Sequence, residues 1–120
     1  MPMISDLMER HIVGVSRSAK IGSVLKLMQT SRVSVMPVLE DGHLVGMVTR
    51  KCIETDNGSH SVIGDIMSKP IFVEENDSHD KAVKEMIGHG ISRVPVVNNR
   101  KDMHCIGIIT STDIVREMRN

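Results

Sequence analysis

Two four-residue stretches stand out for the chemistry their spacing allows: Thr110-Ser111-Thr112-Asp113 and Thr49-Arg50-Lys51-Cys52. Each begins on the threonine that closes a Gly-x-x-Thr: Gly46-Met47-Val48-Thr49 and Gly107-Ile108-Ile109-Thr110. If a helix starts after each threonine, its first N–H groups lack partners within the helix and carry partial positive charge, which suits a phosphate. A carboxylate three residues in, as at Asp113, has the lone pairs to accept both hydroxyls of a ribose diol. The same residues also fit a capping box, with Thr110 accepting from the Asp113 N–H and the carboxylate reaching back, worth about 1 kcal/mol of helix stability. Spacing leaves both open. In the first stretch Cys52 stands where the second has Asp113, and a thiol is a weak partner for a diol. Arg50 and Lys51 would occupy the first helical turn, where the dipole disfavours cations; a nearby phosphate or plain solvation would each account for them.

Other chemistry has less to stand on. His11, His43, His60, His79, His89 and His104 form no i, i+4 pair and no ligand spacing with the cysteines, so no metal site is expected. Cys52 and Cys105 lie far from Cys-x-x-Cys spacing and make a poor disulfide framework, which favours a reduced, cytoplasmic setting. Cys105 falls in an apolar run and reads as a small buried hydrophobe. Cys52, at a helix start, is the one candidate for a redox or metal response. There is no Gly-x-Ser-x-Gly, His-Glu-x-x-His, Walker or dinucleotide fingerprint, and no nucleophile with an evident base. No enzyme is expected.

Composition narrows the partners. The 120 residues carry 15 basic and 15 acidic groups, and the only aromatic side chain is Phe72, against ten methionines. With no basic half to follow a phosphate backbone and no rings to stack bases, nucleic acid is disfavoured as a partner. No apolar run approaches the roughly 18 residues that span a bilayer, and no export signal is evident.

The elements that must position these residues are written twice, roughly 60 residues apart. Ile4-Ser5-Asp6-Leu7-Met8 returns as Ile63-Gly64-Asp65-Ile66-Met67, and Val33-Ser34-Val35-Met36-Pro37-Val38 returns as Ile91-Ser92-Arg93-Val94-Pro95-Val96. His43-Leu44-Val45-Gly46-Met47-Val48-Thr49 returns as His104-Cys105-Ile106-Gly107-Ile108-Ile109-Thr110. The repeats divide the chain at 1–58 and 59–120, with a polar linker over 56–60. Each reads as β-α-β-β-α. Short strands are expected at Ile12–Val15 and Ile71–Val73. Helices follow on the stripes Ile21, Val24, Leu25, Met28 and Ala82, Val83, Met86, Ile87. The strands Val35–Leu39 and Leu44–Thr49 flank Asp41-Gly42, a hairpin signal; Val94–Val97 and His104–Thr110 pair across a longer loop. Helices close the repeats at Arg50–Thr55 and Ser111–Met118, and short helices are expected at Ile4–Met8 and Ile63–Met67. Neither half alone would bury a sufficient core, so the two should dock.

With both Ser-x-x-Pro-Val strands and both Gly-x-x-Thr strand ends in tandem, the chain resembles a CBS domain pair over essentially its whole length, and no separate catalytic domain is expected. The resemblance implies an α/β fold of the α+β type, two CBS units packed as a pseudo-twofold pair. It implies a regulatory module sensing an adenosine-containing ligand, AMP, ADP or ATP, with S-adenosylmethionine also open, and needing no other cofactor. By the family pattern Thr110 contacts phosphate and Asp113 the ribose. The cleft is then walled by Met8, Val13, Val33, Ser34, Pro37 and Ile108, with adenine bonding to backbone around Val13 and Val33. Arg93 points at phosphates or into solvent. A second cleft would use Thr49, Arg50, Lys51, Met67, Phe72, Ile91 and Ser92; without the ribose carboxylate it is expected to be the weaker, leaving one competent site per chain. The family also implies a disc-like homodimer through helical faces and a regulated protein partner. The competing readings are a ligand-free oligomerisation or interaction module and a redox or metal responder through Cys52.

Overall fold

The computed structural model describes residues 2–119. In chain order it runs α1 (Ile4–Leu7), α2 (Ile21–Ser31), β1 (Val35–Glu40), β2 (His43–Thr49), α3 (Arg50–Asp56), a 3-10 turn over Ile63–Asp65, β3 (Val73–Glu74), α4 (His79–His89), β4 (Arg93–Val97), β5 (Cys105–Thr110) and α5 (Ser111–Met118). The mixed α/β architecture written twice in the sequence is present in both halves.

Local chemistry explains most boundaries. β1 and β2 form an antiparallel hairpin whose turn residues, Asp41 (φ 51°) and Gly42 (φ 81°), both take positive φ. That is the type I′ geometry matching the twist of the flanking strands. α4 ends at Gly90 in the left-handed region, φ 64°, where glycine meets no Cβ penalty. Its N-cap position is Ser78, but the hydroxyl makes no capping bond; the neighbouring Asp77 carboxylate instead accepts from the Glu74 N–H at 2.8 Å. The longer β4–β5 loop is braced by Asn99, whose Oδ1 accepts from the N–H groups of Lys101 (3.1 Å) and Asp102 (2.7 Å).

Three expected elements are shorter or displaced. The strand expected at Ile12–Val15 reduces to one parallel bridge between Val15 and Val38, because the Ser16 hydroxyl accepts from the Ser18 N–H and turns the chain at once. The strand expected at Ile71–Val73 is Val73–Glu74, parallel to β4 through Val96 and Val97. The helix expected at Ile63–Met67 is a 3-10 turn ending at Asp65. Beyond it the chain extends so that Ser68 can pair with Met47, N–H to carbonyl in both directions at 2.9 and 3.0 Å.

This last pairing belongs to an exchange of segments. The chain forms two compact units, one from the residues up to Ile12 together with Ile71 onward, the other from Val13–Pro70. These units cut across the sequence halves 1–58 and 59–120. In the first unit, Glu9 and Ile108 bond to each other's backbone twice at 2.8 Å, adding the N-terminal segment to the β5 edge of the sheet β3-β4-β5. In the second, Ser68 does the same at the edge of β2. Each unit has its own core: Ile4, Met8, Ala82, Met86, Val94 and Ile109 among others in the first, and Ile21, Val24, Met28, Val38, Val48 and Ile63 among others in the second.

The glycines of the two Gly-x-x-Thr stretches make these edge pairings possible. A Cβ on Gly107 would lie 2.6 Å from Met8 Sδ and 2.9 Å from the Glu9 carbonyl; one on Gly46 would lie 2.7 Å from Met67 Sδ. Only a residue without a side chain lets the exchanged segment approach so closely.

Candidate functional site

The N-terminal end of α5 gathers the chemistry singled out in the second repeat. Thr110 is the N-cap: its Oγ1 accepts from the Asp113 N–H at 3.1 Å, and Asp113 Oδ2 accepts from the Thr110 N–H at 3.0 Å. The capping box therefore forms, and it fixes the carboxylate rather than consuming it. A carboxylate has about four acceptor positions over its two oxygens, and one is taken here by the cap. The Asp113 side chain is 11% exposed, and its other oxygen, Oδ1, faces the Arg116 guanidinium at 3.7 Å.

The Ser-x-x-Pro stretch is joined to this helix start by backbone. The Ser111 N–H donates to the Ser92 carbonyl at 2.9 Å, and Arg50 donates to the Ser34 carbonyl at 2.8 Å in the other repeat. One orphan N–H of each helix is thereby satisfied, and the two motifs of a repeat are brought to one place.

A groove of about 280 Å³ opens here, lined by Thr110, Asp113, Arg93 and Ser92 from the expected residues, and by Glu9 and Arg116 besides. Ser111 and Thr112 complete it and continue into a second groove of about 430 Å³ on the outer side of α5, where Val115, Arg116 and Arg119 follow. Of the apolar wall expected in this unit, Met8 and Ile108 are both buried beside the exchanged segment. Ser92, assigned from sequence to the second cleft, borders the Asp113 groove.

The remaining expected residues lie in the other compact unit. Val13 is 44% exposed; Pro37 is buried, and its carbonyl accepts from the Val15 N–H at 3.0 Å. Val33 packs against that unit's core, and Ser34 is exposed apart from its carbonyl bond.

Among residues expected in the second cleft, Thr49 repeats the capping pattern. Its Oγ1 accepts from the Cys52 N–H at 3.0 Å, and its hydroxyl lies 2.9 Å from Cys52 Sγ. Burial raises the Cys52 pKa, but hydrogen bonds from the Thr49 hydroxyl, the Thr49 N–H and Ser68 outweigh it and leave the thiol more acidic than usual. Arg50 pairs with Glu54 at 3.3 Å and Lys51 is exposed, so solvated and helix-internal partners answer for both cations. Met67 packs on Gly46 in this unit. Phe72 and Ile91 belong to the first unit, where the Arg100 guanidinium sits 5.7 Å from the Phe72 ring centroid and Ile91 packs on the core.

Sequence reasoning missed Glu9 and Arg116. Arg116 follows Asp113 by three residues, so the same helix face was a usable signal. Glu9 arrives through the edge pairing with Ile108, for which local sequence carries no sign. Among the described residues no cluster of three or more His, Cys, Asp or Glu could hold a metal ion. Cys105 is a buried free thiol, and burial pushes its pKa up. No helix among the described residues is long and apolar enough to cross a membrane.

The family model of the CBS domain matches the chain twice, over residues 4–53 and 63–120. The chain is 24% identical over 116 residues to an inosine-5'-monophosphate dehydrogenase of Methanocaldococcus jannaschii, covering 95% of this chain but only 23% of that enzyme. It therefore spans about a quarter of this curated relative. Solved structures that share the fold include two complexes. One is the CBS domain pair of protein MJ0100 in complex with 5'-methylthioadenosine and S-adenosyl-L-methionine, at a TM-score of 0.81 and 25% identity over 98% of this chain and 96% of that one. The other is CBSX2 of Arabidopsis thaliana in complex with AMP, at a TM-score of 0.85 and 25% identity over 98% and 96% of the two chains.

Proposed function

Because the chain belongs to the CBS-domain family and carries the domain twice, we propose that it is a regulatory module that binds an adenosine-containing ligand at the start of α5. AMP, ADP or ATP are the favoured occupants. The observation that carries this reading is the Asp113 carboxylate, 11% exposed and pinned by the Thr110 N–H at the side of a groove. A carboxylate held in one orientation by its cap needs little further ordering to meet a diol once its other oxygen is uncovered. Ser111, Thr112 and the helix N-terminus supply donors for a phosphate, and Arg93 a cation beside them. The neighbours solved with AMP, 5'-methylthioadenosine and S-adenosyl-L-methionine support the ligand class.

The α3 start is proposed to be the lesser site, since Cys52 stands where a ribose carboxylate is needed. A bound ligand regulates whatever protein the module serves only through its unequal affinity for two arrangements of the module. No catalytic step is proposed.

Thermal melting with adenine compounds tests the reading. A ligand at 100 times its dissociation constant stabilises the folded state by about 2.7 kcal/mol. Asp113→Ala should remove most of the ligand-induced rise while lowering the apo midpoint only by the capping contribution. A full ligand response in Asp113→Ala would refute the site.

A second reading, an assembly module, is favoured by α4 and α5, where Ile87 stands 78% and Met118 75% exposed. A homodimer through these helices is proposed alongside ligand binding. Sizing of the wild type and of Ile87→Glu/Met118→Glu tests it; an unchanged mass for the double variant would refute it.

A further inference from the structure

As it stands, Asp113 is not open to a ribose on both oxygens. Oδ2 accepts from the Thr110 N–H at 3.0 Å, and Oδ1 lies under the Arg116 guanidinium at 3.7 Å. Arg116 is 70% exposed and borders both the groove that holds Asp113 and the larger groove shared with Val115 and Arg119, so its side chain has space on either side. We infer that Arg116 is the specificity-determining residue of this site: it covers Asp113 until an adenosine ligand with an anionic 5' group draws the guanidinium off, and so favours phosphate-bearing over neutral nucleosides. The inference rests on the proposed role of the Asp113 groove.

The physical reason is an exchange of partners. A ribose that bonds Asp113 must displace Arg116 from Oδ1. With a nucleotide the displaced guanidinium meets a phosphate, whose oxygens match its fork of donors. With 5'-methylthioadenosine the ribose is the same but no anion replaces the lost carboxylate. The formal charges bordering the groove balance, Arg93 and Arg116 against Glu9 and Asp113, so the overall field does not choose between ligands. Beyond the donors at the helix start, Arg116 adds a preference of its own through this exchange of partners.

Titration calorimetry with AMP and with 5'-methylthioadenosine tests this on the wild type, Arg116→Gln, Arg116→Lys and Asp113→Ala. The wild type should prefer AMP by at least about tenfold, the scale of one charge-assisted contact. Arg116→Gln should lower the ratio severalfold, with 5'-methylthioadenosine bound no more weakly than before, and Arg116→Lys should keep more of the preference than Arg116→Gln. An Arg116→Gln ratio equal to that of the wild type, or a wild type that prefers 5'-methylthioadenosine, overturns the inference; if Asp113→Ala then abolishes both ligands, the groove remains the binding site. If the wild type binds neither compound, or Asp113→Ala binds both normally, the site itself is wrong and the inference falls with it.

Discussion

Gly107 and Met8 are packed so closely that a Cβ on the glycine would lie 2.6 Å from the methionine sulfur. The contact holds the N-terminal segment on the edge of β5, next to the two Glu9–Ile108 backbone bonds. Gly107→Ala is therefore expected to destabilise the protein by about 1–3 kcal/mol, the usual range for overpacking. Gly46→Ala should cost less: its nearest clash is the flexible Met67 side chain, with backbone no closer than the Ser68 carbonyl at 3.1 Å, whereas Gly107 meets the Glu9 carbonyl at 2.9 Å. Gly88, in α4, has open space within 4 Å of where a Cβ would sit, and Gly88→Ala should stabilise by about 0.4–1 kcal/mol. Urea denaturation midpoints of the three variants give the order, and a Gly107→Ala protein as stable as wild type would contradict the packing described.

Thr110 contributes both halves of its capping box. Thr110→Ala should lower stability by about 1 kcal/mol through loss of the bond to the Asp113 N–H, and Thr110→Ser should recover most of it. Equal midpoints for the alanine and serine variants would mean the hydroxyl contributes nothing to the cap.

The two cysteines should differ in reactivity. Cys52 is partly exposed and its thiol is more acidic than usual despite burial, through the bonds from Thr49 and Ser68; Cys105 is buried and its thiol less acidic. Limiting iodoacetamide near neutral pH should label Cys52 first, as thiolate is the reacting form. Thr49→Val should slow that labelling. Mass spectrometry of the two cysteine peptides reads both outcomes, and preferential labelling of Cys105 would reverse the assignment.

The loop after α3 should be sensitive to pH. Asp56 accepts from the His60 N–H at 3.0 Å and pairs with its ring through Nδ1. The Asp56 hydrogen bond and charge raise the His60 pKa above its ordinary 6.5, with Asp65 adding to it, and the His60 ring holds Asp56 below its ordinary 3.8. A raised histidine stabilises fully below pH 6.5 and loses that contribution as pH rises through its folded value; a lowered aspartate loses its contribution as pH falls through its own. The pair therefore acts fully between about pH 4 and 6.5. The melting midpoint of wild type minus that of Asp56→Asn should be larger at pH 6 than at pH 8.5. A difference that does not change with pH would leave the pair without a role in stability.

Much of the fold was legible because its signals are local. The Asp41-Gly42 turn, the stripes of α2 and α4, and the Thr-x-x-Asp cap each depend on backbone preferences and spacing within a few residues, and the duplication repeated the helix stripes and the Gly-x-x-Thr strand ends. The Thr110–Asp113 pair was legible for the same reason, since a capping box closes within one helical turn. Which strand edge accepts Glu9 and which accepts Ser68 was decided only in the tertiary structure. An edge of unpaired N–H and C=O groups has no sequence of its own, and Met8-Glu9 and Met67-Ser68 are nearly alike in what they can offer it. That exchange carries Glu9 to the Asp113 groove, and packing on that scale, rather than any local preference, sets what surrounds the carboxylate.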